Sequence, residues 1–439
     1  MNETSEPATA GRRQAWLGLL LILLALAVLI WQAFLAGAGN DVDLPSPTGR
    51  PAQIDAAGRA DAAVPMFSEV LPVPVAAGTA GSPVPKGQME VCGLGRVSVD
   101  DAGQPLQPEL LERPLREARE RMLLALASSA DETERAAGLF IRSAGFPSRV
   151  FSPSADATSE ATSEREDGQA QARKAAARDA LAGMAAYTRL PQVYALALNA
   201  CARTGTEGAC GLLSSAQWAR LDPRNAAPWV RVAHEAAARR DTAGVSEALF
   251  HIAHADLNDA RALSLVTVAT ARVPADAPPF VRTSLAGEVL AFTFAGMPSP
   301  SVVANHCSKE ALADSNRLQA CAAVAELLTR RDGTLVDLTV GTQVGERVGW
   351  PAERVQALRD ERDAMAEVLA KVFPEAFDLM GCDAQQRLGR HIAEMGAHGE
   401  VGALRRALAQ SPDGVAVLAK RLRDRRAQQN ASERAASGP

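Results

Sequence analysis

Glu247, His251 and His254 come closest, in residue type and spacing, to a reactive constellation. At i, i+4 and i+7 they project from one side of a helix, and two imidazoles with a carboxylate are a serviceable donor set for a divalent metal. His234, one helix earlier, is placed to approach as a further ligand. The competing reading is a solvent-facing histidine pair with a local Glu247–His251 contact. His234-Glu235 is followed by three alanines and an arginine, so it lacks the second histidine of the H-E-x-x-H zinc helix. Asp256 and Asp259 would form a carboxylate dyad only if the fold aimed them at one point. The chain has no G-x-S-x-G elbow, S-x-x-K pair, phosphate-binding loop or EF-hand loop. Gly93-x-Gly95 is half a dinucleotide fingerprint, and Gly341 to Gly345 reads as a helix boundary rather than a phosphate cradle. No cofactor is expected.

The six cysteines offer a different chemistry. Cys307 and Cys321 each lie seven residues from Asp314, where a turn between helices is expected. Residues equidistant from the turn of an antiparallel helix pair sit level, so these two are disulfide candidates. Cys201 and Cys210 flank a turn containing Gly205 and Gly208, and are a second candidate pair. Cys92 and Cys382 remain, and pairing them would tie the N-terminal part to the last third of the chain. Six cysteines permit about fifteen connectivities, so the pairing stays open at this level. Each local bridge would be worth about 2–4 kcal/mol through loop closure. Cys201 or Cys382 could instead act as a nucleophile with a distant histidine. A thiolate zinc site is disfavoured, because no C-x2-C pair is present.

These side chains need elements to hold them, and composition points to helices. Of 439 residues, 88 are alanine and only 4% are aromatic. Alanine is the best helix former, while aromatic and β-branched residues favour strands. An all-α fold is therefore expected. A net charge of −5 argues against a nucleic-acid partner.

The N-terminus supplies an address. Residues 1–14 form a short stub containing Arg12 and Arg13, followed by 24 uncharged residues from Ala15 to Ala38. That length crosses the roughly 30 Å hydrocarbon core as a helix. Trp16 and Trp31 bracket its most apolar part, and Asp41 and Asp43 follow it. The positive-inside rule puts the stub in the cytoplasm and the remainder outside. Ala36-Gly37-Ala38 resembles a signal-peptidase site, so a cleaved leader is the alternative. Arginine outnumbers lysine 41 to 5, as in a GC-rich bacterial genome, which makes the expected location the inner membrane with a periplasmic body. An even cysteine count after the span suits that compartment.

Residues 39–88 read as a tether; the stretch from 40 onward holds eight prolines. Residues 89–151 read as a small, mostly helical module, and 152–168 as a flexible loop rich in Ser, Thr and Glu. Helix then follows helix over 169–427, and 428–439 read as a disordered tail. The basic run Lys420 to Arg426 is either the solvated end of a last helix or a contact for anionic lipid or cell-wall polymer.

Within 169–427 one pair of helices is especially clear. Trp229, Val232, Ala233 and Ala236 line one face, and Val245, Ala248, Leu249 and Ile252 line the next, with Arg239-Arg240-Asp241 as the turn. Asp222-Pro223-x-Asn225-Ala226-x-x-Trp229, followed by Ala233, resembles the opening of a tetratricopeptide-type repeat. The resemblance covers about 222–255; its second-helix small residue, Ala248, falls about three positions late, and no clean 34-residue recurrence is visible in the sequence. It implies an array of stacked antiparallel hairpins, an α-solenoid, with a concave surface for a peptide. Trp218, Trp229 and Trp350 are the candidate aromatic anchors for such a partner, against the competing reading of core packing. The function expected is an interaction scaffold for an envelope protein or peptide, with an envelope hydrolase as the alternative.

Overall fold

The computed structural model describes residues 85–437, apart from 102, 147–159, 203–206, 262, 296, 298, 331–332 and 373–379. The expected membrane span at 15–38 and the tether through residue 84 lie outside the described residues. Among the described residues, no helix is long and apolar enough to cross a membrane.

The described chain opens with a β-hairpin, β1 (Gln88–Val91) against β2 (Gly95–Ser98). Its turn needs glycine at residue 93, where φ is +80° and an added Cβ would collide with the Pro279 ring. Everything else is helical: α1 (Glu109–Ala127), α2 (Glu132–Ala144), α3 (Glu160–Ala185), α4 (Pro191–Cys201), α5 (Ser215–Leu221), α6 (Ala226–Ala238), α7 (Thr242–Ala253) and α8 (Leu263–Thr270). There follow α9 (Pro279–Ala295), α10 (Ser301–His306), α11 (Ser315–Leu328), α12 (Leu335–Arg347), α13 (Ala352–Val372), α14 (Cys382–Ala409) and α15 (Val415–Ser437). Among the described residues the fold is all-α apart from the one hairpin.

Helices distant in sequence share the main core. Met122 and Leu126 of α1, Ile141 of α2, Leu181 of α3, Tyr194 of α4 and Trp218 of α5 meet Leu265 of α8, Val289 of α9 and Ile392 of α14. The helices before and after 152–168 thus pack against one another. That stretch is also not a loop throughout, because α3 begins at Glu160. Its Ala, Glu and Arg residues are good helix formers, and a helix anchored downstream by buried Leu181, Ala182 and Ala185 propagates back through them. The tail departs from expectation in the same way. Leu418, Ala419 and Leu422 are buried, and α15 runs from them to Ser437.

A second core joins α6 and α7 to α10, α11 and α12 through Val230, Leu249, Ile252, Val303, Val324 and Val344. The glycines at 341 and 345 lie inside α12, not at its boundary. Gly341 faces Leu328 and Thr329 of α11, and Gly345 lies under the ring of Trp350.

Three disulfides staple this arrangement. Cys201–Cys210 and Cys307–Cys321 close short turns, and Cys92–Cys382 links the β-hairpin to the start of α14 across 290 residues. The long bridge is reinforced by backbone bonds from Cys92 N–H to Met380 O (2.9 Å) and from Phe280 N–H to Cys92 O (3.1 Å). All six cysteines are bonded, which removes Cys201 and Cys382 as nucleophiles. Such bridges belong to an oxidising, extracytoplasmic environment.

The basic run near the C-terminus is mostly exposed, but two of its arginines reach back to α13. Arg423 meets Asp360 (2.7 Å) and Asp363 (3.3 Å), and Arg425 meets Glu367 (2.5 Å), all on α13. Asp363 and Glu367 are only 5% and 2% exposed, so these cations neutralise carboxylates enclosed between α13 and α15. Lys420 is engaged by Asp424 and Arg421 by Asp413.

One side chain stitches consecutive hairpins together. Asn225 caps α6 and is fully buried. Its Oδ1 accepts from Ala227 N–H (3.1 Å) and Asp259 N–H (2.9 Å). Its Nδ2 donates to Asp222 Oδ2 (2.8 Å) and Asp259 O (2.6 Å). The amide thereby uses all its hydrogen-bonding capacity. Arg261 clamps the same point, reaching Asp222 and Asp259 at 3.0 Å each. Replacing Asn225 by Ala strands several of these buried groups. Denaturant unfolding of Asn225→Ala is expected to show a loss of about 2–4 kcal/mol, and a change below about 0.5 kcal/mol would refute this account of the joint.

Candidate functional site

The α6–α7 hairpin positions the side chains singled out for chemistry. Asn225 starts α6, Asp241 starts α7 by accepting from Gly244 N–H (2.8 Å), and Arg240 takes φ +59° in the turn between them. The apolar faces containing Ala233, Ala236, Ala248 and Ile252 are buried against each other. At the rim of this core runs an aromatic–imidazole row. The Trp229 and His251 rings stack with centroids 3.8 Å apart and planes 11° from parallel. Phe250 follows, edge-on to His251 at 5.6 Å and tilted against His254 at 4.3 Å. Phe250 is 56% exposed, and His254 is also exposed.

This geometry overturns the metal reading of Glu247, His251 and His254. Among the described residues, no group of three His, Cys, Asp or Glu side chains is arranged to hold a metal ion. The His251 ring lies flat on Trp229. α7 ends at Ala253, so His254 is its C-cap, with Nδ1 2.7 Å from Phe250 O. Glu247 is exposed on the preceding turn and acts on His251 only through its charge. His234 is likewise exposed.

The three tryptophans divide. Trp218 is fully buried in the main core and cannot anchor a partner. Trp350 is half-buried between Gly345 and the Arg354 guanidinium, which sits 3.6 Å above its ring. Arg354 is itself held by both oxygens of Glu326 at 2.7 Å, so Trp350 serves the α11–α12–α13 contact. Trp229 stays half-buried at the edge of the hairpin, in the row just described. Asp256 and Asp259 do not make a dyad either, since Asp256 pairs with Arg224 and Asp259 with Arg261.

Two features escaped the sequence reading. Phe250 attracted no attention because it falls outside the apolar i, i+3, i+4 face of α7, which is why it is exposed. Arg231 of α6 reaches across to Asn199 Oδ1 of α4 at 2.8 Å. Burial pushes its guanidinium below the usual arginine range, with the charge of Glu235 opposing that shift. Glu235 in turn accepts a short bond from Ser215 Oγ at 2.5 Å. The side of α6 near Asn199 is therefore polar and hydrogen-bonded, while the side near His251 is aromatic.

His251 titrates below a free imidazole, chiefly through burial; Glu247 opposes the shift and His254 adds to it. A base with a lowered folded-state pKa contributes its full stability above its unfolded value of about 6.5 and loses it as pH falls. Wild-type protein is therefore expected to lose stability relative to His251→Phe as pH drops from 7 to 5, read from paired denaturation midpoints. Parallel pH profiles for the two proteins would contradict the stacked, desolvated placement of His251. Comparison of the chain with protein-family models, curated proteins and solved structures yields no match.

Proposed function

We propose that the protein is a single-pass, inner-membrane-anchored scaffold of the bacterial envelope, whose periplasmic helical hairpins bind a protein or peptide partner. The anchor is residues 15–38, the tether follows it, and the disulfide-stapled helices form the body. The observation that carries the binding role is the aromatic–imidazole row of Trp229, His251, Phe250 and His254, whose last two members are exposed. A large aromatic side chain left on a surface is a usual anchor of a protein interface, and Phe250 is one, backed by the half-buried Trp229–His251 stack.

The tetratricopeptide-type reading of the hairpin belongs to the same proposal. Its support is the stitch between Asn225 and Asp259, which are 34 residues apart, the length of one such unit. Asp222-Pro223 and Asp256-Leu257 begin the two connected segments at that same spacing. A stack built this way presents successive hairpin edges along one surface, suited to an extended or helical peptide.

A photo-crosslinking residue at position 250 of the full-length protein, irradiated in native cells, is expected to yield a discrete adduct with an envelope protein or peptide. A crosslinker at position 254 should capture the same partner. One at Tyr187, which is 89% exposed on another part of the fold, should not. His251→Ala combined with Trp229→Ala should reduce the adduct at 250 at least about tenfold, an effect of about 1.4 kcal/mol. Adducts equal at all three positions, or none at 250, would sink the proposal.

A further inference from the structure

The aromatic row has a basic flank. Ser246, Phe250 and His254 recur at i, i+4 and i+8 along α7 and its cap, and all three are exposed. Residues at that spacing lie about 5–6 Å apart at Cβ. Arg317 of α11 donates from Nη2 to Ser246 Oγ at 2.5 Å. Its guanidinium therefore stands one helical turn from Phe250. At about 100° per residue, Ser246 and His251 fall on opposite sides of Phe250 around α7. The exposed ring is thus bordered by the Trp229–His251 stack on one side and by Arg317 on the other.

The two helices run alongside each other in the same direction. Arg317 lies early in α11 and meets Ser246 early in α7. Arg330, just past α11, donates to Asp256 O, just past α7, at 3.3 Å. The flank of Phe250 that faces α11 is therefore built from two packed helices, whose shared core includes Val245, Leu249 and Val324.

Charge on this face is uneven. Arg317 is half-buried and, among the described residues, forms no ion pair. Arg261, Arg354 and Arg405, half-buried too, each hold a carboxylate. Burial pushes the Arg317 guanidinium below the usual arginine range, and the charge of Asp314 opposes that shift. Asp314 is occupied at the start of α11, where its Oδ1 accepts from the amides of Asn316 (2.8 Å) and Arg317 (3.2 Å). His306 of α10 is a neighbouring base, not a counter-charge: burial first, then the charge of Arg317, hold it below a free imidazole. Glu247, the exposed carboxylate of α7, lies on the His251 side of Phe250 and acts on that imidazole. The row therefore carries a cation on one flank and a carboxylate on the other.

We propose that this face recognises an acidic peptide segment, an apolar side chain of which packs on Phe250 while an Asp or Glu side chain within about four positions pairs with Arg317. This rests on the scaffold reading and names the chemistry of its partner. Arg317 spends one N–H on Ser246 and has further donors in the same plane for a carboxylate. Phe250 supplies apolar contact area without regard to direction, whereas the ion pair fixes orientation and rejects segments that lack the acid. Glu247 strengthens that choice, because it repels a carboxylate placed on the opposite flank.

The photo-crosslinker at position 250 of the full-length protein, irradiated in native cells, reads this directly. Arg317→Glu is expected to cut the adduct at least about tenfold, and Arg317→Lys to retain most of it. Mass spectrometry of the wild-type adduct should place an Asp or Glu within about four positions of the crosslinked residue. Replacing that acid by Lys in the partner should lower the adduct with wild-type protein and restore it with Arg317→Glu. An adduct unchanged in Arg317→Glu, a captured segment without an acid, or no restoration by the charge swap overturns the acidic-peptide assignment and leaves the scaffold reading standing. No adduct with wild-type protein overturns both. Should Arg317→Glu fail to fold, the partner's acid-to-Lys variant decides the question alone, since it leaves this chain untouched: a loss of at least about tenfold supports the assignment, and an unchanged adduct refutes it.

Discussion

A chain in which one residue in five is alanine buries little apolar area per helical turn, and the rest of the structure depends on that constraint. Burial stabilises by about 25 cal/mol per Å², so an alanine face contributes far less than a leucine face of the same length. Alanine faces do allow close helix approach, as where Ala233 and Ala236 meet Ala248 across the α6–α7 hairpin. Close approach brings polar groups into the interior with the backbone. The fold answers with specific polar and covalent fastenings: the saturated amide of Asn225, Arg119 on Glu288 at 2.7 Å, Arg405 on Glu361, and three disulfides. The polar pairs and Cys92–Cys382 lie where segments apart in sequence meet, while the other two disulfides close short turns. Removing one partner of such an enclosed pair costs more than the pair itself contributes, which makes the fastenings specific as well as strong.

The same constraint explains which features were legible in the sequence. Helix identity was legible because alanine-rich, aromatic-poor segments have strong local preferences. The Cys307–Cys321 bridge was legible because equal spacing about the turn at Asp314 is a local property of an antiparallel pair. Cys92–Cys382 could be reached only by elimination, since nothing near either residue marks a contact across 290 positions. The helical character of 160–168 and 428–437 was hidden by polarity. Those segments have no apolar face to announce them and are helical because a neighbouring anchored helix continues through them.

The candidate site failed in the sequence for a sharper reason. Glu247, His251 and His254 share a helical face only if the helix extends past residue 254, and α7 stops one residue short of it. Helix ends are the least certain part of any reading from pattern. The partner His251 takes is Trp229, 22 residues earlier on the other leg of the hairpin. The sequence had placed Trp229 on the apolar face of α6, where it borders the core, but no rule of spacing along one helix connects it to His251. The break in α14 was hidden likewise, because Gly396, Gly399 and Gly402 sit in a stretch that otherwise reads as continuous helix. Only the positive φ at Gly399 reveals which glycine carries the break.

Charge shows how the two halves of the argument meet. Asp360, Asp363 and Glu367 on α13 fall at i, i+3 and i+7, a stripe that by itself reads as a solvated helix face. Arg423 and Arg425 of α15 read, by themselves, as a basic end for lipid or polymer. Set against each other, Arg423 and Arg425 neutralise the carboxylates of α13 at one interface. Asp337 and Glu400 are held instead by neutral donors, Thr334 N–H and Oγ for the one and Leu335 N–H for the other.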